Sequence, residues 1–422
     1  MKELYQGIYL DTKVSTKYKS NLMVIKFISP YSAAAASKRS LLARMIEDGS
    51  ESIKNKGALE QKLASLYGAS LGVSVHRNGN FLEFTLKTSL VRPSLIEDLA
   101  PDILDQWYTL IESLLFEQNF SDVSQWDATR FNREKQLLLS RMNRQKDDKE
   151  QLVTKKLLEK IYQNDASKSL DGFGSEELLV QLSLADVAQE YRKLIDESLV
   201  LIATHGEFEE ARLTEVIKKW PLSGRDKRYN YTENQISINS EVYTFHSQAV
   251  EGKQTHLAMG YSFPFISTLK GRVQMQVLNA ILGGLPNSLL FMEIREKQSL
   301  AYSIYSSIDF SRSLLAIYAA IDGQTIDHVM SEIGKLFDVL KEQIAEPAYL
   351  EEVKFSLISD YVQSRDYQDT ELYLQINQFL QPTFPRSLSI YREYVKGVKE
   401  ADLLALLKDL KAVTTFVLKG RD

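Results

Sequence analysis

The chain has 422 residues, of which 44% are hydrophobic and 25% charged, and its formal net charge is −5. This length favours two domains, and the composition is typical of a globular protein that can bury a core in each half. The acidic balance gives no basic surface for nucleic acid, and the absence of cysteine excludes disulfides and thiolate metal sites.

The first eleven residues carry Lys2, Glu3 and Asp11 and lack the basic start and apolar stretch of a signal peptide. No apolar run in the sequence approaches the roughly 18 residues that a membrane span requires. We therefore expect a cytoplasmic protein without a membrane span.

The first half is predicted to contain helices, a hairpin and a later strand. The dipeptide Asn78-Gly79 lies between two strand-like runs and is a strong hairpin signal. Ser183 is the expected N-cap of a helix. The predicted elements are helices at 39–48 and 58–67, strands at 71–75 and 81–86, helices at 152–162 and 185–195, and a strand at 199–204.

A polar stretch without apolar periodicity, 221–239, separates the two halves. We place the domains at 1–222 and 240–422, with 223–239 as a linker. Matching elements of the halves lie about 230 residues apart, which indicates a duplication. The second half is predicted to contain helices at 273–282 and 288–297, strands at 301–306 and 314–320, helices at 348–364 and 401–410, and a strand at 415–418. This order predicts an α+β fold in which each domain is an antiparallel sheet with helices on one face.

The most distinctive motif lies in the second half and ends in Arg295 and Tyr302. It consists of Leu282-Gly283-Gly284, Ser288, Arg295-Glu296-Lys297 and Leu300-Ala301-Tyr302-Ser303. A guanidinium and a phenol can stabilise the negative charge that develops on a carbonyl oxygen during peptide hydrolysis. The alternatives are a surface arginine and a half-buried strand tyrosine. We expect no ion pair for the arginine, because Glu293 and Glu296 are predicted not to share its helix face.

This combined motif resembles the C-terminal domain of the M16B peptidases, the pitrilysin/insulinase family that includes proteins like the mitochondrial processing peptidase. The resemblance covers nearly the whole chain and implies two homologous M16-type domains of the LuxS/metallohydrolase-like fold. In that family the matching arginine and tyrosine reach the active site and contact the substrate. The resemblance therefore implies catalytic and substrate-binding roles for Arg295 and Tyr302.

The zinc motif of the family, His-x-x-Glu-His on the first helix, is absent. Aligned on the residues that follow the motif, Ser40 and Arg44 stand at the histidine positions and Ala43 at the position of the base. Arg141 stands where a later helix supplies the last glutamate ligand. A guanidinium has no lone pair for zinc, so we expect no metal or other cofactor in this chain. The five histidines, His76, His205, His246, His256 and His328, are not spaced for the motif.

The resemblance implies a non-catalytic subunit of a heterodimeric zinc peptidase. Its partner would be an M16B paralogue that carries the His-x-x-Glu-His motif and the zinc, and this chain would supply Arg295 and Tyr302 to that site. In the family, the peptide substrate adds as a strand to a sheet edge, here the edge that contains Leu71, Val73 and Val75. Alternatively, that edge is only structural.

Three other hypotheses remain open at the level of sequence. The chain could be an inactive structural homodimer or scaffold. It could be a peptide-binding chaperone without hydrolytic activity. It could also be an active peptidase with an unrecognised metal site, which would predict zinc in the purified protein.

Overall fold

The structure is a computed structural model that describes residues 1–96, 102–120, 126, 128–225, 234–238, 242–381, 383–385 and 387–421. Contacts between Cα atoms divide the chain into two compact units. The first unit comprises Met1–Asn143, Leu170–Tyr231 and Tyr367–Leu380, and the second comprises Arg144–Ser169, Thr232–Asp366 and Gln381–Asp422. Each unit therefore includes one segment from the opposite half of the chain.

The predicted domain limits, 1–222 and 240–422, follow chain order and stay a prediction. The two compact units differ from these limits by the exchanged segments Arg144–Ser169 and Tyr367–Leu380. The predicted linker 223–239 is described only at 223–225 and 234–238, and its other residues lie outside the described part of the chain.

The described part of the first unit contains a six-stranded sheet. Its strands are β1 (Lys2–Tyr5), β2 (Ile8–Val14), β3 (Ser20–Pro30), β4 (Ser70–Asn78), β5 (Phe81–Val91) and β6 (Leu199–Gly206). They lie in the order β1-β2-β6-β3-β5-β4, so β4 is an edge strand. Strands β2 and β6 are parallel, and the other neighbours pair antiparallel.

The helices of the first unit cover both faces of this sheet. They are α1 (Ala33–Asp48), α2 (Lys56–Ser65), α3 (Ile103–Phe116), α4 (Ala128–Asp147), α6 (Glu176–Gln181), α7 (Leu184–Glu197), α8 (Glu210–Lys219) and α12 (Gln368–Leu380). Most of them form the main core with one face of the sheet, around residues such as Ile25, Phe84 and Trp107. The exchanged helix α12 packs Leu372 and Ile376 against the opposite face.

The second unit repeats this arrangement around a five-stranded sheet. Its strands are β7 (Thr244–Glu251), β8 (Thr255–Ser262), β9 (Ala301–Asp309), β10 (Leu314–Ile321) and β11 (Lys411–Arg421). They lie in the order β7-β11-β8-β10-β9, with β7 and β11 parallel and β9 at an edge. Its helices are α5 (Lys149–Ile161), α9 (Leu269–Asn279), α10 (Ile326–Ile344), α11 (Pro347–Ser364), α13 (Leu388–Lys396) and α14 (Glu400–Asp409), with π-helical segments at Ala280–Gly284 and Leu290–Lys297.

The strand orders confirm the predicted internal repeat, because β2-β6-β3-β5-β4 corresponds one to one with β7-β11-β8-β10-β9. The first helices after the central strands also match: α1 has Ser32 as its N-cap and α9 has Thr268, and each hydroxyl accepts a backbone N–H three residues later. The exchanged helices α5 and α12 occupy the same place in the order of the two halves.

The predicted α+β class with two repeated sheets is confirmed, and two details of it were wrong. The sheets are mixed rather than antiparallel, because β6 and β11 each follow a helical segment and pair in parallel with β2 and β7. Helices also lie on both faces of each sheet. The reason is visible in β6, whose eight residues are all buried and need apolar cover on both sides.

Several local predictions are confirmed. The first helix ends at Gly49, whose φ of +139° favours glycine. Gly79, with φ +59°, turns the hairpin between β4 and β5. Ser183 caps α7 in a capping box with Asp186. Of the helices in the described part of the chain, none combines the length and the hydropathy needed to cross a membrane.

Candidate functional site

The predicted pair Arg295 and Tyr302 lies on two consecutive elements of the second unit. Arg295 is near the end of the second π-helical segment, and Tyr302 is the second residue of β9. Ser299, with φ +53°, forms the turn between them, and its N–H donates to the Arg295 carbonyl at 3.0 Å. The Leu300 N–H donates to the carbonyl of Ile294, also at 3.0 Å. These bonds give the helix end and the strand start a fixed connection.

The Arg295 side chain is largely available to a ligand. It is 42% exposed, and its guanidinium carbon lies 4.7 Å from the ring centroid of Phe291. The expectation that it forms no ion pair was wrong, because its Nε lies 3.9 Å from Glu296 Oε1. This contact is long and exposed, so it contributes little. Glu293 instead pairs with Lys297 at 2.6 Å.

Tyr302 is 60% exposed although it lies in a strand. The cause is a β-bulge: Ser303 pairs with Ala320 and Ala301 with Ile321, so Tyr302 has no residue opposite it. A bulge re-aims a side chain and interrupts the ladder at an edge strand. The bulge was not predicted from the sequence, and it leaves the phenol in solvent at the rim of the sheet.

The Leu-Gly-Gly motif holds the π-helical segments against β9. A Cβ at Gly283 would lie 2.6 Å from the Ser306 backbone nitrogen and from a Leu290 methyl carbon, so only glycine fits there. Ser306 donates to Asn279 Oδ1 at 2.8 Å, which joins β9 to the end of α9. π-Helical turns are rare and are concentrated at functional sites. The glycines of the motif are therefore needed for packing, in addition to the function predicted for the motif.

The positions aligned with the zinc motif lie on α1 and are filled by internal contacts. Ser40 is buried, and its hydroxyl donates to the Gly172 carbonyl at 2.9 Å. Ala43 is also buried. Arg44 forms an ion pair with Glu134 of α4, with 2.9 Å between Nη2 and Oε2. Glu134 is only 4% exposed, so this pair is mostly withdrawn from solvent.

Arg141 lies two turns after Glu134 on α4, and its guanidinium is 5.1 Å from the ring centroid of Phe173. Residues 170–174, which we call the covering segment, thus contact both Ser40 and Arg141. The structure therefore brings all the degenerate metal positions to one region of the first unit, between α1, α4 and the covering segment.

These residues do not fit a zinc ion. Arg44 supplies one positive charge against the Glu134 carboxylate, and a guanidinium cannot coordinate a metal. Arg133 also bonds Glu134, at 3.0 Å, so this carboxylate is already neutralised. Among the described residues, no group of three or more histidine, aspartate or glutamate side chains is placed to hold a metal. Glu134 had no role in the sequence analysis; the signal that could have found it was Arg44, which lies between the apolar residues Ala43 and Met45 of a helix and is partly buried.

The predicted peptide-binding edge, Leu71 to Val75 of β4, has internal contacts of its own. The Val73 N–H donates to Glu47 Oε1 of α1 at 2.7 Å. The covering segment lies against the same strand, because a Cβ at Gly172 would be 2.8 Å from the Cα of His76 and closer still to the Val75 carbonyl oxygen. The binding role of this edge remains a prediction.

The described histidines are not grouped into a second site. His205 lies buried in β6, and His246 and His256 lie in β7 and β8. The Nδ1 of His256 is 2.7 Å from the Tyr318 hydroxyl. Burial lowers the pKa of His246 and of His256, so both imidazoles tend to be neutral.

Comparison with known proteins places the chain among metallopeptidase relatives. Residues 181–357 match the family described as the peptidase M16 inactive domain. Over all of its length the chain is 21% identical to the "Probable inactive metalloprotease YmfF" of Bacillus subtilis (strain 168), of which the match covers 98%. It is 25% identical over 225 residues to the "Uncharacterized zinc protease YmxG" of the same strain, and this match covers 52% of each protein.

A solved structure with a similar fold is that of a conserved protein from Enterococcus faecalis V583. Its TM-score is 0.90 at 24% identity, and the match covers 99% of this chain and 98% of the other. This likeness shows that the same fold extends over the whole chain. The solved peptidase M16 inactive domain from Pseudomonas fluorescens is also similar in fold, with a TM-score of 0.78 at 15% identity, and the match covers 99% of this chain and 96% of the other. The inactive-domain match at 181–357 and the full-length similarity to YmfF agree with the resemblance to the M16 family seen in the sequence.

Proposed function

We propose that this chain is the metal-free, substrate-binding subunit of a heterodimeric M16 zinc peptidase. In this proposal, Arg295 and Tyr302 act at a zinc site that belongs to a partner subunit. The observation that carries the proposal is that both side chains are exposed in the second unit, while an ion pair and a hydrogen bond fill the metal positions of the first.

The chemistry of the pair suits peptide hydrolysis. When water attacks the scissile carbonyl, its oxygen becomes an anion. The Tyr302 phenol can donate a hydrogen bond to this anion, and the Arg295 guanidinium can hold a neighbouring peptide carbonyl or share the charge. Neither group activates the water, so zinc and the general base have to come from the partner.

The proposed partner is an M16 paralogue with the His-x-x-Glu-His motif. One relative of this chain is named a probable inactive metalloprotease, and another, from the same bacterial strain, an uncharacterized zinc protease. The presence of both in one strain supports pairing.

The proposed substrate is an extended peptide. It would add to β4 along Leu71, Val73 and Val75, and it would replace the Glu47 carboxylate as the acceptor of the Val73 N–H. Because Glu47 lies on α1, a bound peptide would also contact the degenerate metal region.

The alternative function is an inactive M16-like homodimer or scaffold that binds peptides or none. The observation that favours it is the occupation of the β4 edge by Glu47 and by the covering segment. It requires no role for the exposed Arg295 and Tyr302.

The two functions are separated by reconstitution. The chain is mixed with the zinc-motif paralogue from the same genome, and cleavage of a quenched fluorescent peptide is compared with cleavage by each protein alone. The control is the same mixture with the motif glutamate of the paralogue changed to glutamine.

The proposal expects cleavage in the mixture, little in either protein alone, and none in the control. Unchanged activity of the paralogue when this chain is added would contradict it and favour the scaffold, whose homodimer would then be detected by analytical ultracentrifugation.

A further inference from the structure

The second unit contains a pocket of about 320 Å³ between α9, α11 and α13, whose lining includes apolar side chains and several polar ones. Gln276 and Asn279 of α9, Asp360 and Tyr361 of α11, and Tyr391 of α13 line it. Its volume is at the lower end of the range typical of ligand sites. All of these residues belong to the second unit.

The internal repeat makes this pocket the counterpart of the degenerate metal region. Helices α1 and α9 are aligned by their N-caps, Ser32 and Thr268. In this alignment Gln276 corresponds to Ser40, Asn279 to Ala43 and Ala280 to Arg44, and all three counterparts line the pocket. Asp360, which also lines it, lies on α11, the helix that has the same place in the second half as α4, the helix of Arg141, has in the first. The region that an ion pair fills in the first unit is thus open in the second.

The lining of the pocket favours a positively charged ligand. Among the described residues that line it, Asp360 is the only one with a charged side chain. Gln276 Oε1 is shielded from solvent and has no hydrogen-bond donor among the described residues. A buried acceptor without a hydrogen bond lowers the stability of the fold, unless a ligand supplies the donor.

The two tyrosines add aromatic surface to this lining. Their rings stack with centroids 4.3 Å apart. Burial raises the pKa of Tyr391 to about 12, so its phenol is neutral at physiological pH. Aromatic faces attract ammonium groups. A metal ion is a poorer candidate, since the pocket offers one carboxylate and Asn279 Oδ1 already accepts a hydrogen bond from Ser306 at 2.8 Å.

We propose that this pocket binds a primary ammonium group of the peptide substrate, with Asp360 as its counter-ion and Gln276 Oε1 as a hydrogen-bond acceptor. An ammonium has three donors and matches this set of acceptors. The inference rests on the proposed function, because it takes the ligand to be a peptide. The ammonium is either the N-terminus of the peptide or a lysine side chain.

Three peptides that are otherwise identical test the proposal with the chain alone. One has an acetylated N-terminus and one lysine, one has a free N-terminus and no lysine, and one has neither amine. Dissociation constants are measured by fluorescence anisotropy with a C-terminal label. A charge-assisted hydrogen bond predicts that at least one amine-bearing peptide binds about tenfold tighter than the amine-free one, or more. Which of the two binds identifies the source of the ammonium.

Two variants test whether the ammonium binds in the pocket, and a third variant is the matched control. Asp360→Asn is expected to abolish the advantage of the amine, and Gln276→Met to reduce it by a smaller factor. Asp338→Asn makes the same change on α10 at an 80% exposed side chain and is expected to leave the advantage unchanged. Asp360 is itself exposed, so its variant should fold.

Each other outcome overturns the proposal. If all three peptides bind equally, or if Asp360→Asn retains the preference for an amine, the pocket does not bind the ammonium, while the proposed subunit role stands. If no peptide binds to the chain alone, the pocket proposal fails, and the subunit role is judged separately by cleavage in the mixture.

Discussion

The side chains at the metal positions of the first unit and the Arg295–Tyr302 pair of the second differ in how many hydrogen-bond and ion-pair partners the chain itself gives them. In the first unit, Arg44 has Glu134 as its partner and Ser40 has Gly172, and both contacts are largely buried. In the second unit, Arg295 has one long exposed ion pair, and the Tyr302 phenol projects from a bulge into solvent.

This difference shows how a duplicated fold can separate stability from function. A metal site without its metal is a polar cavity. An ion pair and a segment that covers it, such as the covering segment here, can fill this cavity and stabilise the unit. Side chains that act on an external ligand need hydrogen-bond donors or charges that no residue of their own chain occupies. Substitutions in the first region should therefore change stability, and substitutions in the second should change activity in the reconstituted complex.

The largest expected effect is on turnover. Tyr302→Phe removes one donor to the oxyanion and is expected to lower kcat of the reconstituted complex on the order of 10²–10³-fold. Stability and pair formation should stay unchanged, because the phenol is exposed. Tyr394→Phe, the same change at another exposed tyrosine of the second unit, is the control. An unchanged kcat for Tyr302→Phe would show that its hydroxyl does not contact the reacting carbonyl.

The second effect is on stability. Arg44→Met breaks the pair with Glu134 and is expected to lower the free energy of unfolding by about 3 kcal/mol, the lower end for a buried pair. The lower end applies because Arg133 still bonds Glu134. Urea unfolding followed by circular dichroism measures the change.

The matched variant for that measurement is Arg295→Met, an arginine in the exposed region. We expect it to change the free energy of unfolding by less than about 0.5 kcal/mol. Equal losses for Arg44→Met and Arg295→Met would remove the distinction between the two regions.

The smallest effect concerns the covering segment. A Cβ at Gly172 would meet the backbone at Val75 and His76, so Gly172→Ala is expected to destabilise the protein by about 1–3 kcal/mol. Gly334→Ala, in the interior of α10 with open space around it, should instead stabilise by about 0.5–1 kcal/mol. Thermal unfolding distinguishes them, and a stabilised Gly172→Ala variant would show that the segment does not press on β4.

Local signals in the sequence predicted local structure well. The end of the first helix at residue 48, the Asn78-Gly79 turn and the Ser183 cap depend on neighbouring residues, and each lies where it was predicted. The repeat was also predictable, because the predicted helices and strands recur in the same order in both halves.

Long-range features were not predictable in the same way. The parallel strand pairs and the exchanged helices α5 and α12 depend on which segments meet after the chain has folded. The Arg44–Glu134 pair joins residues 90 positions apart, and the bulge at Tyr302 depends on the register with β10. The sequence predicted which residues stand at the positions aligned with the zinc motif, and only the structure shows what those residues contact.

The most direct test of the contrast between the two regions is the zinc content of this chain. The chain is purified alone, equilibrated with zinc, separated from free metal by gel filtration and analysed by mass spectrometry of the metal. Because an ion pair and the covering segment occupy the metal positions, we predict far less than one zinc per chain. One tightly bound zinc per chain would contradict the account and would mean that this chain carries a metal site of its own.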